Sequence, residues 1–324
     1  MASQASASKR KLPEVSPRLF SKVAMITTIA LGLIVLSGAA VRLTGSGLGC
    51  PDWPSCYEHQ LTASTALHPL IEFSNRLVTV ALTVLVLFTV VLAYLRSPRR
   101  RDLILLSWGL VLGVVADAVL GGIVVYTKLN PYLVMTHMWL SLGMVALGMV
   151  LFHRSRYDYS PGSRAEVASS ATRKVAWVID ALFIAVIMAG TATTGAGPHA
   201  GGSDGQLVAK RLPIALKDMV TIHSGAAVAF LGVILGTFVI LEGIGAPKRL
   251  RSGIKRLFIV GVAQGLLGII QYLTHLPAWL VELHVLGAVS LTMGVTSFQL
   301  AQVARDKEVV GSQDEKQIPV PTVI

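Results

Sequence analysis

Residues 218–242 read DMVTIHSGAAVAFLGVILGTFVILE, an apolar stretch with a charged residue only at each end. A helix rises about 1.5 Å per residue and needs roughly 20 apolar residues to cross a hydrocarbon core about 30 Å thick. The stretch is therefore predicted to be a transmembrane helix. It also contains His223, and an ionisable side chain inside a membrane span usually faces the bundle interior and serves a site.

Seven further apolar runs make the predicted fold class an all-α integral membrane protein with eight transmembrane helices. The composition, 53% hydrophobic and 14% charged, excludes an ordinary soluble globular protein. The first run follows basic residues, as in a signal peptide, but it is longer than a signal-peptide core and is predicted to be retained. The eight runs lie at about 22–43, 71–95, 103–127, 134–153, 174–194, 218–242, 254–273 and 279–304.

The net charge of +11 comes largely from basic residues in the N-terminal tail and alternate short loops, which argues against a nucleic-acid partner. The positive-inside rule places these loops and both termini in the cytoplasm of a cell whose plasma membrane the chain spans. Three basic residues of the fifth loop run against this pattern but are outnumbered. The cytoplasmic set is Lys9, Arg10, Lys11, Arg96, Arg99, Arg100, Arg101, Arg154, Arg156, Arg164, Arg173, Lys174, Lys248, Arg249, Arg251, Lys255 and Arg256.

Both cysteines of the chain, Cys50 and Cys56, lie in the first outward loop. In an oxidising compartment they can form a disulfide that closes a short loop. The sequence leaves two interpretations open, a structural staple and a redox-active pair, because a bridge across so short a loop is easily reduced if it is strained.

An internal repeat divides the chain into two pseudo-repeated four-helix bundles. Aligning Asp117–His137 with Gln264–His284 without a gap matches 8 of 21 residues, and Thr44–Gly47 resembles Thr194–Gly197. An even number of helices per repeat makes the repeats parallel, related by an axis along the membrane normal. The predicted division is a tail at 1–18, an N-terminal half at 19–153, a linker at 154–173, a C-terminal half at 174–304 and a tail at 305–324.

Three histidines, His137, His223 and His284, are predicted to lie at a similar depth near the outer face. His223 and His284 belong to alternate helices of the C-terminal bundle, an arrangement that suits two axial imidazoles on a haem iron. The alternative for each is a hydrogen-bonded packing residue. In the N-terminal half His137 corresponds to His284, whereas Asn75 or its neighbour Arg76 occupies the place of His223. Since asparagine is a poor iron ligand, this half is predicted to offer one imidazole and an open opposite face.

Other polar residues at these helix ends have two interpretations each. Asp117 and Gln264 occupy equivalent positions of the repeat, and interhelical hydrogen bonding is the favoured role. Arg42 and Arg76 lie near outer helix ends, where they can snorkel or pair with haem propionates. The glycine-rich run from Thr194 to Gly205, which contains His199, is predicted to be a loop folded over the C-terminal site.

These residues resemble the haem A synthase family of respiratory membranes over residues 22–304. The resemblance rests on Cys50/Cys56, the run EFSNR at 72–76, the run TGAGPHAGG at 194–202, and His137, His223 and His284. It implies a b-type haem in the C-terminal half and haem O in the N-terminal half. The family motif on the second helix usually reads Glu-x-x-His, whereas this chain has Glu72 and Asn75. His68, on the same face if the helix begins early, is a candidate substitute ligand.

The function that the resemblance implies is oxidation of the C8 methyl of haem O to a formyl group, which supplies haem A to a terminal oxidase. His137 would hold the substrate haem, Glu72 would act as the catalytic carboxyl group, and His223 with His284 would bind haem b. A haem O synthase and a membrane electron acceptor are candidate partners, and a homo-oligomer is left open. The alternatives are a membrane b-type cytochrome that does not modify haem, and a proton-coupled transporter. Glu72 beside an incomplete ligand pair favours the enzyme.

Overall fold

In the computed structural model, residues 13–58, 62–156, 164–166, 168–202 and 209–305 are described. They contain eight helices, each long and apolar enough to cross a membrane, which confirms the predicted fold class. The helices are α1 (Pro17–Leu43), α2 (Leu67–Leu95), α3 (Arg101–Tyr126), α4 (Pro131–Arg156), α5 (Ser170–Ala196), α6 (Leu216–Gly243), α7 (Lys248–Leu273) and α8 (Ala278–Ala301).

Most helices extend beyond the apolar runs because helical structure continues into the polar interface at their ends. At the start of α1, the Ser16 hydroxyl accepts the backbone N–H of Leu19, and Pro17 occupies the first helical position. Ser169 caps α5 in the same way. The helical part of the chain therefore reaches into the predicted linker at 154–173 from both sides, since α4 ends at Arg156 and α5 begins at Ser170.

Two short strands are the only departure from the all-α prediction in the described part of the chain. The strands β1 (Arg164–Glu166) and β2 (Val303–Arg305) pair antiparallel. They join the segment between the halves to the end of α8, on the side of the membrane where the basic loops lie.

Each half forms a closed ring of four helices. In the N-terminal half α1 contacts α2, α2 contacts α3, α3 contacts α4, and α4 returns to α1; the C-terminal half repeats this order from α5 to α8. The two rings meet where α8 packs against α1 and α4, and where α4 packs against α5. Small residues allow this close approach, since a Cβ at Gly32 of α1 would lie 3.1 Å from Val289 of α8. The predicted pair of four-helix bundles is confirmed.

The tightly packed cores lie at the end of each bundle that carries the basic loops. The N-terminal core includes Phe20, Leu110 and Leu151, and the C-terminal core includes Ile234 and Phe298. All of these belong to the halves of their helices that lie nearest the basic loops. Large apolar side chains on the outer surfaces are exposed, with Leu112 at 71% and Trp177 at 70%. Such an apolar surface is suited to contact with the hydrocarbon tails of lipids. The opposite end of each bundle is packed less closely, and the polar side chains meet there.

Candidate functional site

His223 of α6 and His284 of α8 face each other across the C-terminal bundle. Their ring centroids lie 6.1 Å apart, and the ring planes are inclined at 73°. Two imidazoles that share one metal ion, each at about 2 Å from it, have ring centroids about 6 Å apart. The pair therefore has the spacing to bind one iron atom between the rings.

The His223 ring is oriented by α5. Its Nδ1 lies 3.1 Å from the carbonyl oxygen of Val186, and because a carbonyl can only accept, Nδ1–H is the donor. This tautomer leaves the lone pair of Nε2 free for a metal ion. The ring also lies against Gly190, where a Cβ would come within 2.9 Å of Cε1. A side chain at position 190 would displace the imidazole.

The His284 ring is supported by α7. It packs against Gly268, where a Cβ would lie 3.2 Å from the ring Cε1. Gln264 donates from Nε2 to the backbone carbonyl of His284 at 2.8 Å, and Gly287 leaves the space that the glutamine side chain fills. The interhelical hydrogen bond expected of Gln264 is confirmed. The ring Nδ1 of His284 is buried and has no hydrogen-bond partner among the described residues.

His137 of α4 occupies the equivalent position in the N-terminal bundle. Its ring lies against Gly121 of α3, the counterpart of Gly268, where a Cβ would be 3.5 Å from Cε1. Its Nδ1 is 2.8 Å from Oδ1 of Asp117, and Ser141 donates to the other carboxylate oxygen at 2.6 Å. The His137 side chain is 39% exposed. Asp117 thus does bridge two helices, as the sequence predicted, and one of its contacts is the candidate ligand.

Asn75 takes the place in the N-terminal half that His223 holds in the C-terminal half. It is eight residues after the start of α2, and His223 is seven residues after the start of α6. The Ser37 hydroxyl of α1 donates to its amide oxygen at 2.7 Å. This contact leaves the amide NH2, which can donate hydrogen bonds but cannot ligate iron.

His68 lies in the first turn of α2, seven residues before Asn75. Seven helical residues correspond to about 10 Å along the axis. Its Nδ1 is 3.0 Å from the Ser46 hydroxyl, which in turn is 2.8 Å from that of Thr44. The structure thus ties His68 to the loop after α1. Its role as a substitute ligand stays a prediction.

Glu72 is 5% exposed, and both of its carboxylate oxygens are bonded. Oε2 accepts the backbone N–H of Cys50 at 2.8 Å, and Oε1 accepts from Arg76 at 2.7 Å. Cys50 and Cys56 form the predicted disulfide. Glu72 therefore connects helix α2 directly to the disulfide loop, a contact that the sequence reasoning missed.

Arg76 completes this connection from one turn further along α2. Its Nη1 donates to the backbone carbonyls of Asp52 at 2.8 Å and Ser55 at 2.7 Å, while Nη2 binds Glu72. Neither of the two expected roles, snorkelling or propionate pairing, describes these contacts. The spacing of four residues between Glu72 and Arg76 was the one sequence signal of the pair.

The glycine-rich loop after α5 contacts both halves. His199 donates from Nε2 to the carbonyl of Leu276, between α7 and α8, at 2.8 Å. Gly201, whose φ of +99° is accessible mainly to glycine, accepts the N–H of Gly47 at 3.0 Å. Arg42 of α1 donates to the carbonyl of Thr194 at 2.8 Å. The loop was expected to fold over the C-terminal site, and these bonds attach its described part to the N-terminal half as well.

Comparison with known proteins finds relatives named Heme A synthase. Over 150 residues the chain is 30% identical to one from Shewanella oneidensis, covering 40% of this chain and 44% of the relative. It is 30% identical over 138 residues to one from Lysinibacillus sphaericus, covering 41% and 45%. It is 32% identical over 145 residues to one from Listeria welshimeri, covering 42% and 47%. The aligned segments span less than half the length of each relative.

A family profile gives much wider coverage. The COX15-CtaA profile, described as cytochrome oxidase assembly protein, matches residues 21–296. The match includes most of α1 and α8, the whole of the other six helices, the disulfide loop and the three histidines. The chain therefore belongs to the COX15-CtaA family of cytochrome oxidase assembly proteins, which confirms the family resemblance inferred from its sequence.

Proposed function

We propose that this protein is a haem A synthase, which oxidises the C8 methyl of haem O to a formyl group. The observation that carries the proposal is the difference between two otherwise matched sites. The C-terminal bundle presents two imidazoles 6.1 Å apart, whereas the N-terminal bundle presents His137 and has Asn75 in the equivalent of the second position. The names of the relatives support this assignment.

In this proposal His223 and His284 hold a resident b-type haem, which supplies one-electron redox chemistry. The residues fit such a group because Nε2 of His223 is free and the centroid spacing suits a shared iron. Gly190 and Gly268 keep the space beside the two rings free of side chains. The helices hold both imidazoles in place, so little structural reorganisation would accompany a change in the charge of the haem iron.

The N-terminal half binds the substrate haem O through His137. Converting a methyl to a formyl group with an oxygen atom from water releases four electrons and four protons, so the reaction requires an electron acceptor and a route for protons. A membrane electron acceptor takes the electrons, and Glu72 is the proposed catalytic carboxyl group. Its position between α2 and the disulfide loop allows it to stabilise developing positive charge or accept protons at the outer mouth of the bundle.

The alternative function is a membrane b-type cytochrome that carries electrons without modifying haem. The His223/His284 pair alone would serve such a protein equally well. The N-terminal half favours the enzyme, since a second electron-transfer haem would be expected to have two strong ligands.

The two functions differ in the pigments that cells accumulate. We expect expression of this chain in cells that make haem O but lack their own haem A synthase to yield haem A. Acid extraction of membranes, followed by chromatography and mass spectrometry, measures both porphyrins. Haem O without haem A, in membranes that contain the folded protein with its b-type spectrum, would support the cytochrome.

The proposed location is the plasma membrane, with both termini in the cytoplasm and the disulfide loop outside. Cys50→Ser leaves Cys56 as the only thiol of the chain. We expect a membrane-impermeant maleimide to label this variant in intact cells, and to label the native protein only after reduction. Labelling that requires permeabilised cells would contradict this topology.

A matched control reports the other side of the membrane. In a chain with both cysteines replaced by serine, Ser170→Cys places one thiol at the exposed start of α5, beside the basic loops. We expect this thiol to react only after the cells are permeabilised. The proposed orientation also presents the substrate site to a haem O synthase from the outer half of the membrane.

A further inference from the structure

We propose that Asp117 is a positioning residue that binds Nδ1–H of His137 and makes this imidazole a more electron-rich iron ligand than either histidine of the other half. The inference rests on the proposed function, because it assumes that His137 ligates the substrate haem. It deepens that function by identifying a residue that distinguishes the chemistry of the two haem sites.

The contact between Asp117 and His137 is buried between α3 and α4. Oδ1 and Nδ1 are 2.8 Å apart, and both atoms are shielded from solvent. Neither atom has a well-directed hydrogen bond in the part of the chain that the structure describes, so the two groups lie close together without the linear geometry of a full hydrogen bond. A carboxylate accepts and does not donate, so its position beside Nδ1 favours the tautomer with the proton on Nδ1 and the lone pair of Nε2 free. Asp117 thereby selects the tautomer that can bind iron through Nε2.

Ser141 holds the carboxylate in place. It lies one helical turn after His137 on the same face of α4, and its hydroxyl donates to Oδ2 of Asp117 at 2.6 Å. Gly121 lies one turn after Asp117 on α3 and makes room for the imidazole. The four residues thus form one unit across the α3–α4 contact. Such a unit gives a reason for an acidic side chain to persist inside a membrane span.

The duplicated half lacks this carboxylate. Gln264 occupies the equivalent of Asp117, but it donates to the backbone carbonyl of His284 rather than contacting its ring. Nδ1 of His284 has no partner among the described residues, and Nδ1 of His223 faces the neutral carbonyl of Val186. A carboxylate partner raises the basicity of a metal-bound histidine more than a neutral carbonyl does. A more electron-rich ligand makes the bound haem easier to oxidise. The N-terminal site is therefore suited to the oxidation of haem O, and the C-terminal site to electron transfer.

The test compares Asp117→Asn with the native protein, both purified at full length from cells that supply haem O. Asparagine keeps the size of the side chain but removes its charge. We expect the iron–histidine stretching frequency of the ferrous protein, measured by resonance Raman spectroscopy, to fall. This band reports haem with a single histidine ligand, and so selects the N-terminal site. We also expect the reduction potential of that site to shift positively, and haem A formation to fall by up to about tenfold.

Two further variants separate this role from a packing role. Asp117→Glu retains the carboxylate and is expected to move the stretching frequency back toward the native value. Asp180→Asn removes another intramembrane carboxyl group, which accepts from Gln299 at 2.7 Å in the C-terminal half, and is expected to leave that frequency unchanged. The b-type spectrum of the C-terminal pair reports correct folding in each variant.

An unchanged stretching frequency and potential in a folded Asp117→Asn protein that binds haem O would overturn the inference. Equal shifts in the asparagine and glutamate variants would also overturn it, since they would indicate packing rather than charge. A native protein that binds haem O but forms no haem A would refute the proposed function instead. The spectroscopic comparison of the variants remains decisive for Asp117 in that case.

Discussion

Replacing either His223 or His284 by alanine is expected to abolish the low-spin b-type spectrum of the purified protein, with a loss of at least about tenfold in absorbance. The two rings lie 6.1 Å apart on opposite helices, and each would supply one axial ligand. A single remaining imidazole leaves the iron without its sixth ligand, so the low-spin state is lost even where some haem is retained. Absorption spectra of the reduced protein and a pyridine haemochrome assay measure the two effects.

His153 offers a matched control for these variants. It is a buried histidine on α4, near the basic loops, and its Nε2 lies 2.8 Å from a guanidinium nitrogen of Arg249. His153→Gln is expected to keep the full spectrum because His153 lies near the basic loops, at the end of the molecule opposite to His223 and His284. Unchanged haem content and spin state in both alanine variants would remove the C-terminal pair from the haem assignment.

Glu72→Gln is expected to lower haem A formation by at least about tenfold, a loss of roughly 1.4 kcal/mol in transition-state stabilisation. Glutamine has the same shape but is neutral, so it can neither accept a proton nor stabilise positive charge as a carboxylate does. The C-terminal haem spectrum is expected to stay intact, since the change lies in the other bundle. Pigment analysis of cells that lack their own haem A synthase, normalised to the amount of folded protein, gives the measurement.

The contacts of Glu72 require a second variant beside this one. The carboxylate accepts from the N–H of Cys50 and from Arg76, so a loss of activity could follow from a displaced disulfide loop. Arg76→Met removes the donors to the loop carbonyls while leaving the carboxylate in place. If Glu72 takes part in the chemistry, its variant loses clearly more activity than Arg76→Met. Equal losses in the two variants would assign Glu72 to holding the loop, and normal haem A from Glu72→Gln would exclude it from the reaction.

The eight helices could be predicted from the sequence because a membrane leaves the chain few choices. Backbone polar groups in hydrocarbon must bond within their own segment, so each long apolar run becomes a helix whatever its neighbours are. The repeat between Asp117–His137 and Gln264–His284 then predicted two similar bundles, and helix geometry alone placed the histidines near one depth. These features depend on local composition and on spacing along the chain.

The partners of the polar side chains were decided only by the tertiary structure. Glu72 bonds Cys50 across 22 residues, Ser37 bonds Asn75 across 38, and Arg42 reaches Thr194 across 152. Periodicity predicts which face of a helix a residue occupies, but the angle at which helices pack determines which atoms of two faces meet. Asp117 and Gln264 illustrate the limit. The repeat makes their positions equivalent, yet a carboxylate oxygen of Asp117 lies beside an imidazole nitrogen of His137, while Gln264 donates to a backbone carbonyl. A carboxylate can only accept a hydrogen bond, whereas an amide NH2 donates one, so the two side chains need different partners in a low-dielectric interior.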